Sequence, residues 1–220
     1  MNSRIAQILP PNVAAAESFV DSHIELFPAE EAIVMGSVDE RRREFATGRM
    51  CARRALAGLG LAPIAITRGA RGAPRWPNGV VGSITHCDGY RAAAVAWARE
   101  FLSLGIDAVP TGSLTERVRR RIALDQEHVW LRRLAVTDPT ISWDRLLFSA
   151  KESVYKAWYP LTGTQLDFKD AVIVFDARYG TFDARLLVSG SIVADQPLTG
   201  FAGRWLVQDD LMLTAVAVPR

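Results

Sequence analysis

The sequence predicts an α+β fold in two parts, 1–105 and 106–220, and three observations lead there. Helical patterns and mostly antiparallel strand pairs occur on both sides of residue 105, whereas a doubly wound sheet needs strand and helix to alternate. No G-x-G-x-x-G or Walker sequence marks a dinucleotide or P-loop fold. A chain of 220 residues, 49% hydrophobic and 23% charged, is long enough for two small cores and ordinary for a globular protein. The halves show no close sequence repeat.

Residues 1–40 read as an irregular lead-in, with Pro10-Pro11 blocking an early helix and Leu26 to Glu31 forming a loop that enters one. From Val38 to Leu59 the pattern is helical: Phe45, Ala52, Leu56 and Leu59 make an apolar stripe, and Gly58 and Gly60 supply the stop. Arg41, Arg49 and Arg53 fall on its polar flanks. Arg49 and Arg53, one turn apart, either hold a phosphate together or belong to a solvated basic face. A strand at 65–67 precedes the loop 68–79, rich in Gly, Pro and Arg, which includes Arg68 and Arg71. Its glycines let backbone amides approach an anion, although ordinary turn chemistry accounts for them equally well. Val80 to Cys87 is a strand, Asp88-Gly89 a turn and Ala92 to Trp97 a buried strand, so Thr85 and His86 sit near the tip of a hairpin.

Phe101 to Val109 is a further strand, interrupted by Asp107 just before Pro110. A carboxylate there must be paired, hydrated or bound to a cation, because desolvating it unpaired is costly; a metal ligand and a structural cap are both open. Residues 111–137 predict one helix with a heavily basic surface and apolar contacts from Val129, Trp130, Leu134 and Val136. Ser142 is the candidate N-cap of the next helix, with Asp144 in its first turn and Tyr159-Pro160 ending it. Inside it, Glu152 and Lys156 share a face, while Ala150, Ser153, Val154 and Ala157 form a small-residue face able to pack closely on a sheet. Alone, Glu152 and Lys156 read as a surface ion pair; with Lys151 they are a candidate cluster for phosphate and metal. The remainder is β: 171–175, 182–188, and 204–207 joined to 212–218 by a turn at 208–210.

Composition narrows the chemistry. With two cysteines and three histidines there is neither a disulfide framework nor a Cys/His zinc spacing, so any metal is expected to be hard and oxygen-bound, such as magnesium. The net charge of +2 hides arginine clusters at 41–54 and 117–133, which favour an anionic partner. No stretch reaches the apolar length of a membrane span, and the first residues lack a signal peptide's apolar run. The expectation is a cytoplasmic protein with no membrane partner.

Gly82-Ser83-Ile84-Thr85-His86-Cys87, Gly105-Ile106-Asp107 and Phe148-Ser149-Ala150-Lys151-Glu152-Ser153-Val154-Tyr155-Lys156 occur in a telling order and spacing. In this the chain resembles the 4′-phosphopantetheinyl transferases of the surfactin/enterobactin type, most of all the actinobacterial branch that primes fatty-acid, polyketide and siderophore synthases. The likeness runs from about Arg41 to Leu166. It implies a pseudo-twofold monomer of two similar α+β halves, with coenzyme A and Mg2+, or Mn2+ in its stead, in the cleft between them. The implied reaction moves phosphopantetheine from coenzyme A to a carrier-protein serine and releases adenosine 3′,5′-bisphosphate. The resemblance makes Asp107 and Glu152 metal ligands and Lys151 and Lys156 pyrophosphate contacts. It sets Thr85 and His86 beside the 3′-phosphate region, and Arg41, Arg49 and Arg68, with Arg71 as a neighbour, around the nucleotide. In catalysis Glu152 would accept the serine proton, directly or through water, while Lys156 neutralises or protonates the leaving phosphate.

One departure is Asp107-Ala108-Val109, where many relatives have Asp-x-Glu. Val109 cannot coordinate a cation, which leaves two protein carboxylates and implies altered affinity rather than lost activity. The implied partners are apo acyl, peptidyl or aryl carrier proteins, acidic around the modified serine. For these, Arg117 to Arg133 with Trp130 and Leu134 is either a docking surface or a solvated basic helix. Two rival readings are a coenzyme A-binding relative without transferase activity and a nucleic-acid-binding module. The small net charge and absent motifs oppose the latter, so no nucleic-acid partner is expected.

Overall fold

The computed structural model describes residues 3–22, 24–188 and 191–220. β1 (Ala14–Ser18), β2 (Val80–Cys87) and β3 (Tyr90–Trp97) make a three-stranded antiparallel sheet in the order β1-β3-β2. β4 (Phe101–Pro110), β5 (Ala171–Asp176), β6 (Thr181–Leu186), β9 (Gly200–Gln208) and β10 (Leu211–Pro219) make a five-stranded one in the order β4-β10-β9-β6-β5. A small hairpin of β7 (Ile192–Val193) and β8 (Gln196–Pro197) stands apart. Helices α1 (Pro28–Val34) and α2 (Asp39–Gly58) accompany the first sheet; α3 (Glu116–Ile122), α4 (Asp125–Thr137) and α5 (Trp143–Thr162) accompany the second. The chain is thus α+β, and the path β1, α1, α2, β2, β3 is repeated as β4, α4, α5, β9, β10 with the same strand order. β4 pairs with β10 from Phe101 to Pro110 without a break at 105, so the sheets divide at the turn before Phe101 rather than near residue 105. Among the described residues no helix is long and apolar enough to cross a membrane.

Two packing features position everything else. The first is α5. Trp143, Leu146, Leu147, Ala150, Val154, Ala157 and Trp158 recur every three or four residues and are all buried, an apolar stripe that seats the helix on β4 and β10. Each fully buried Leu or Val contributes about 1.5–3 kcal/mol relative to exposure. The approach to β4 is close enough that a Cβ on Gly105 would lie 2.0 Å from the Ser153 carbonyl oxygen. The second feature is the seam between the sheets. β2 and β4 share no backbone ladder; the Ser83 hydroxyl accepts from the Ile106 amide and the Thr85 hydroxyl from the Ala108 amide, each at 3.1 Å.

The repeated path carries a repeated buried ion pair. In the first half Glu30, fully buried at the start of α1, takes hydrogen bonds from Arg53 of α2 and from the amides of Phe27 and Ile66. In the second half Glu127, buried at the start of α4, takes them from Lys151 of α5 and from the amides of Leu124 and Ile173. Each glutamate ties its helix pair to the neighbouring extended segment and satisfies amides a helix start leaves open.

Several sequence expectations change. The lead-in is not wholly irregular, because Ala14 to Ser18 pair with β3. Residues 65–67 form no strand: the Ile66 amide goes to Glu30 and its carbonyl to Arg49 Nε, leaving only a bridge between Arg68 and Pro74. The long basic helix is two helices, broken at Ala123 and Leu124, whose extended backbone lets Glu127 reach the Leu124 amide. Pro160 does not end α5. In a last turn it removes a single hydrogen bond, and the stop is Gly163 at φ 66. Ser142 is the N-cap residue, but its hydroxyl accepts from Gly112 instead of capping α5.

Candidate functional site

At the seam, Thr85 of β2, Asp107 of β4 and Lys156 of α5 meet. Lys156 Nζ lies 2.7 Å from Asp107 Oδ1, 3.0 Å from the Ile106 carbonyl and 3.4 Å from Thr85 Oγ1. The Thr85 hydroxyl donates to Asp107 Oδ1 at 3.3 Å. Asp107 is 6% exposed, and among the described residues its buried Oδ2 has no hydrogen-bond partner, so a lone pair in a desolvated place is left over. Glu152, half-buried one helical turn before Lys156, has its carboxyl pushed above the usual range by burial and by the charge of Asp107, with Lys156 pulling the other way. The chain therefore brings together Thr85, Asp107, Glu152 and Lys156.

Beyond Thr85 the seam opens into an arginine-rich pocket lined by Arg41, Glu44, Phe45, Arg49, Arg68 and His86. Arg49 and Arg68 both lie over the Phe45 ring, at 4.1 and 5.3 Å from its centroid, which holds two like charges close together. Burial brings Arg49 down to about 10, still charged at neutral pH. Arg41 Nη1 sits 3.0 Å from His86 Nε2, and because arginine only donates, His86 is the acceptor and neutral in that contact. Partial desolvation, offset by Glu44 and reinforced by Arg41, lowers the half-exposed His86 below its ordinary value.

Gly72, Pro74 and Ile84 border both this pocket and a larger cavity of about 470 Å³ on the other side. Trp76, Gly82, Tyr155 and Tyr159 give that cavity an apolar wall, and Glu152 and Lys156 enter it. The Trp76 indole lies on Gly82, whose carbonyl it meets at 2.9 Å; a Cβ at Gly82 would be 2.7 Å from the ring. Arg71, which lines the cavity, donates to Gln165 Oε1 at 2.9 Å and holds a left-handed backbone at φ 52. The arginine pocket, the Lys156 cluster and the apolar cavity thus follow one another along one cleft between the halves.

Lys151 is not brought to this cleft. Its ammonium is buried and spends its three hydrogens on Glu127 Oε2, the Ile122 carbonyl and the Phe168 carbonyl, at 2.7, 2.8 and 2.7 Å. The expected pyrophosphate contact would require breaking a buried ion pair. Sequence reading missed Glu127 because its helix begins after Leu124, without the Ser/Thr signature of a capping box. It also missed the bridging role of Ser83, for which the alternation of Ser83 and Thr85 on one strand face was the available signal.

The donor set fits a hard divalent cation: a buried, unpartnered carboxylate oxygen on Asp107 and a desolvated carboxylate on Glu152, all oxygen and no sulfur. Among the described residues no group of three acidic or His/Cys side chains is gathered, and Val109 is packed into the core beneath α5. Farther along the second half, Arg119, Arg120, Arg132, Val129 and Trp143 line a groove among α3, α4 and the start of α5. Arg119 and Arg120 are partly neutralised by Glu116, at 2.7 and 2.8 Å.

Comparison with known proteins bears on this cleft. Residues 29–96 match the family described as 4′-phosphopantetheinyl transferase N-terminal domain, and residues 103–192 match the 4′-phosphopantetheinyl transferase superfamily. The chain is 52% identical to 4′-phosphopantetheinyl transferase Svp of Streptomyces mobaraensis, over 97% of its own length and 89% of that protein's. It is 49% identical to 4′-phosphopantetheinyl transferase Npt of Nocardia iowensis, over 97% and 99%. It is 42% identical to 4′-phosphopantetheinyl transferase PptT of Mycobacterium tuberculosis, over 97% of both chains.

Proposed function

The chain belongs to the 4′-phosphopantetheinyl transferase superfamily, and from that premise we propose how its cleft performs the transfer to apo acyl, peptidyl or aryl carrier proteins. The observation that carries the proposal is the Thr85–Asp107–Lys156 junction, which stands between a cationic pocket and an apolar cavity. Coenzyme A has the same three parts in the same order: a phosphorylated nucleoside, a pyrophosphate and a long, largely uncharged arm. Arg41, Arg49, Arg68 and His86 would take the 3′-phosphate and nucleotide, the junction the pyrophosphate, and the wall of Trp76, Tyr155 and Tyr159 the pantetheine arm, with Arg71 alongside.

In the reaction the serine oxygen bonds to the phosphorus bearing pantetheine, the bridging P–O bond of the pyrophosphate breaks, and adenosine 3′,5′-bisphosphate leaves. Asp107 and Glu152 would hold Mg2+, or Mn2+, whose chemistry there is neutralisation of pyrophosphate charge. Glu152, one helical turn from Lys156 at the edge of the cavity, is the group to accept the serine proton, directly or through water. Lys156, already drawn to Asp107, is the cation to neutralise or protonate the departing phosphate. Lys151 holds α5, and with it Glu152 and Lys156, through Glu127. In the groove between α3 and α4, Arg119, Arg120 and Arg132, set among Glu116, Asp125 and Asp144, would meet the acidic residues of the carrier.

The test is incubation with coenzyme A, MgCl2 and an apo acyl carrier protein, followed by intact mass. A phosphopantetheine adduct is expected, absent when metal is chelated. Glu152→Gln should fold normally and slow transfer about 10²–10⁴-fold, the range for a lost general base. No adduct from the wild-type protein, or full turnover in the variant, would count against the reading.

A further inference from the structure

Lys156 neutralises Asp107 from the Oδ1 side, while Oδ2 stays buried and, among the described residues, without a hydrogen-bond partner. All three ammonium hydrogens have acceptors within the protein, and the shortest contact, 2.7 Å, is to a carboxylate that is itself almost fully buried. The charge available to attract a metal is small. Val109 is apolar and lies in the core, so the carboxylates are Asp107 and Glu152, and Lys156 cancels one of their two charges. A divalent ion entering this site would give up bound water for at most a single net negative charge beside an ammonium, a poor exchange for a strongly hydrated ion.

We infer that Lys156 is a resident counter-ion whose charge, 2.7 Å from Asp107, weakens the hold of the two carboxylates on a divalent cation until a pyrophosphate offers the ammonium another partner. The inference rests on the proposed function, in that the pyrophosphate is that of coenzyme A. Cation and nucleotide then bind in mutual dependence, each raising the other's affinity by the same factor. Val109 makes the device effective, since a third carboxylate on the strand would hold a cation against the lysine.

The experiment is titration of MnCl2 into the protein, followed by loss of the free-ion electron paramagnetic resonance signal, with and without saturating coenzyme A. Wild type should bind Mn2+ at least tenfold more tightly with coenzyme A. Lys156→Met, which keeps the length and apolar stem, should bind Mn2+ alone at least tenfold more tightly than wild type, and adding Asp107→Asn should abolish that gain. Equal affinity with and without coenzyme A overturns the inference, in a comparison that needs no variant. So does a folded Lys156→Met protein that binds Mn2+ no better than wild type. Wild type that transfers phosphopantetheine yet shows equal affinities overturns the counter-ion alone, whereas wild type that neither binds coenzyme A nor transfers overturns the proposed function with it.

Discussion

Gly105→Ala adds one methyl group where α5 rests on β4. The new carbon would lie 2.0 Å from the Ser153 carbonyl oxygen and 2.7 Å from the Ala157 nitrogen, both helix backbone that no rotamer change can move aside. Carbon and carbonyl oxygen settle at roughly 3.3 Å or more, so the helix must lift by about 1 Å. Overpacking costs about 1–3 kcal/mol and occasionally more, and two backbone contacts put this case near the top of that range. For a chain of this size each kcal/mol lowers Tm by about 2–4 °C, so calorimetry should register a fall of roughly 6–12 °C. The same lift lengthens the 2.7 Å contact between Lys156 and Asp107. A displacement of about 1 Å at reacting groups costs on the order of 10²-fold in rate, to be read from carrier modification well below the lowered Tm. An unchanged Tm together with full transfer would refute the claim that α5 is seated by the absence of a side chain at 105.

Lys151→Met should lower Tm, because stripping a buried carboxylate of its cation costs about 3–5 kcal/mol, and Glu127→Gln added to it should restore part of the loss. A shift confined to KM for coenzyme A, with Tm held, would instead put Lys151 on the pyrophosphate. For His86, whose side chain is 46% exposed, partial desolvation and the charges of Arg41, Lys156 and Arg91 set the ring below its usual 6.5, so the contribution of its neutral form to stability is complete above that pH and is lost as pH falls through the lowered value. An arriving phosphate would raise it again, so coenzyme A binding near pH 6 should take up a proton, seen as a buffer-dependent calorimetric enthalpy. His86→Asn should abolish that dependence; a dependence that survives assigns the proton elsewhere.

The groups that meet at the seam were legible in sequence because each lies in a segment with a short-range signal: the hairpin tip for Thr85, the interrupted strand for Asp107, the helical spacing for Glu152 and Lys156. What joined them was the family pattern, since nothing local says that residues 85, 107 and 156 touch. The strand at 65–67 failed for the opposite reason. Ile66 has a strand's composition, but its amide and carbonyl are taken by side chains from two helices, Glu30 and Arg49, and here these buried charges override a weak propensity. Lys151 misled in the same way. A lysine beside Glu152 looks like a second cation for the site until Glu127, in a helix whose start carries no capping signature, is seen to claim it.

The hydroxyl seam gives the cleft a mechanical character. A backbone ladder resists sliding along its whole length, but Ser83 and Thr85 hold β4 by two rotatable side-chain contacts. Along this line the two sheets meet without a ladder, over a shared apolar core, and Thr85 lies on one bank of it while Asp107 and Lys156 lie on the other. Any parting of the halves therefore pulls the nucleotide side away from the carboxylate while the backbone ladders of both sheets stay paired, and it opens the apolar core that Tyr90, Ala92 and Ala94 share with Leu104, Ile106 and Ala108.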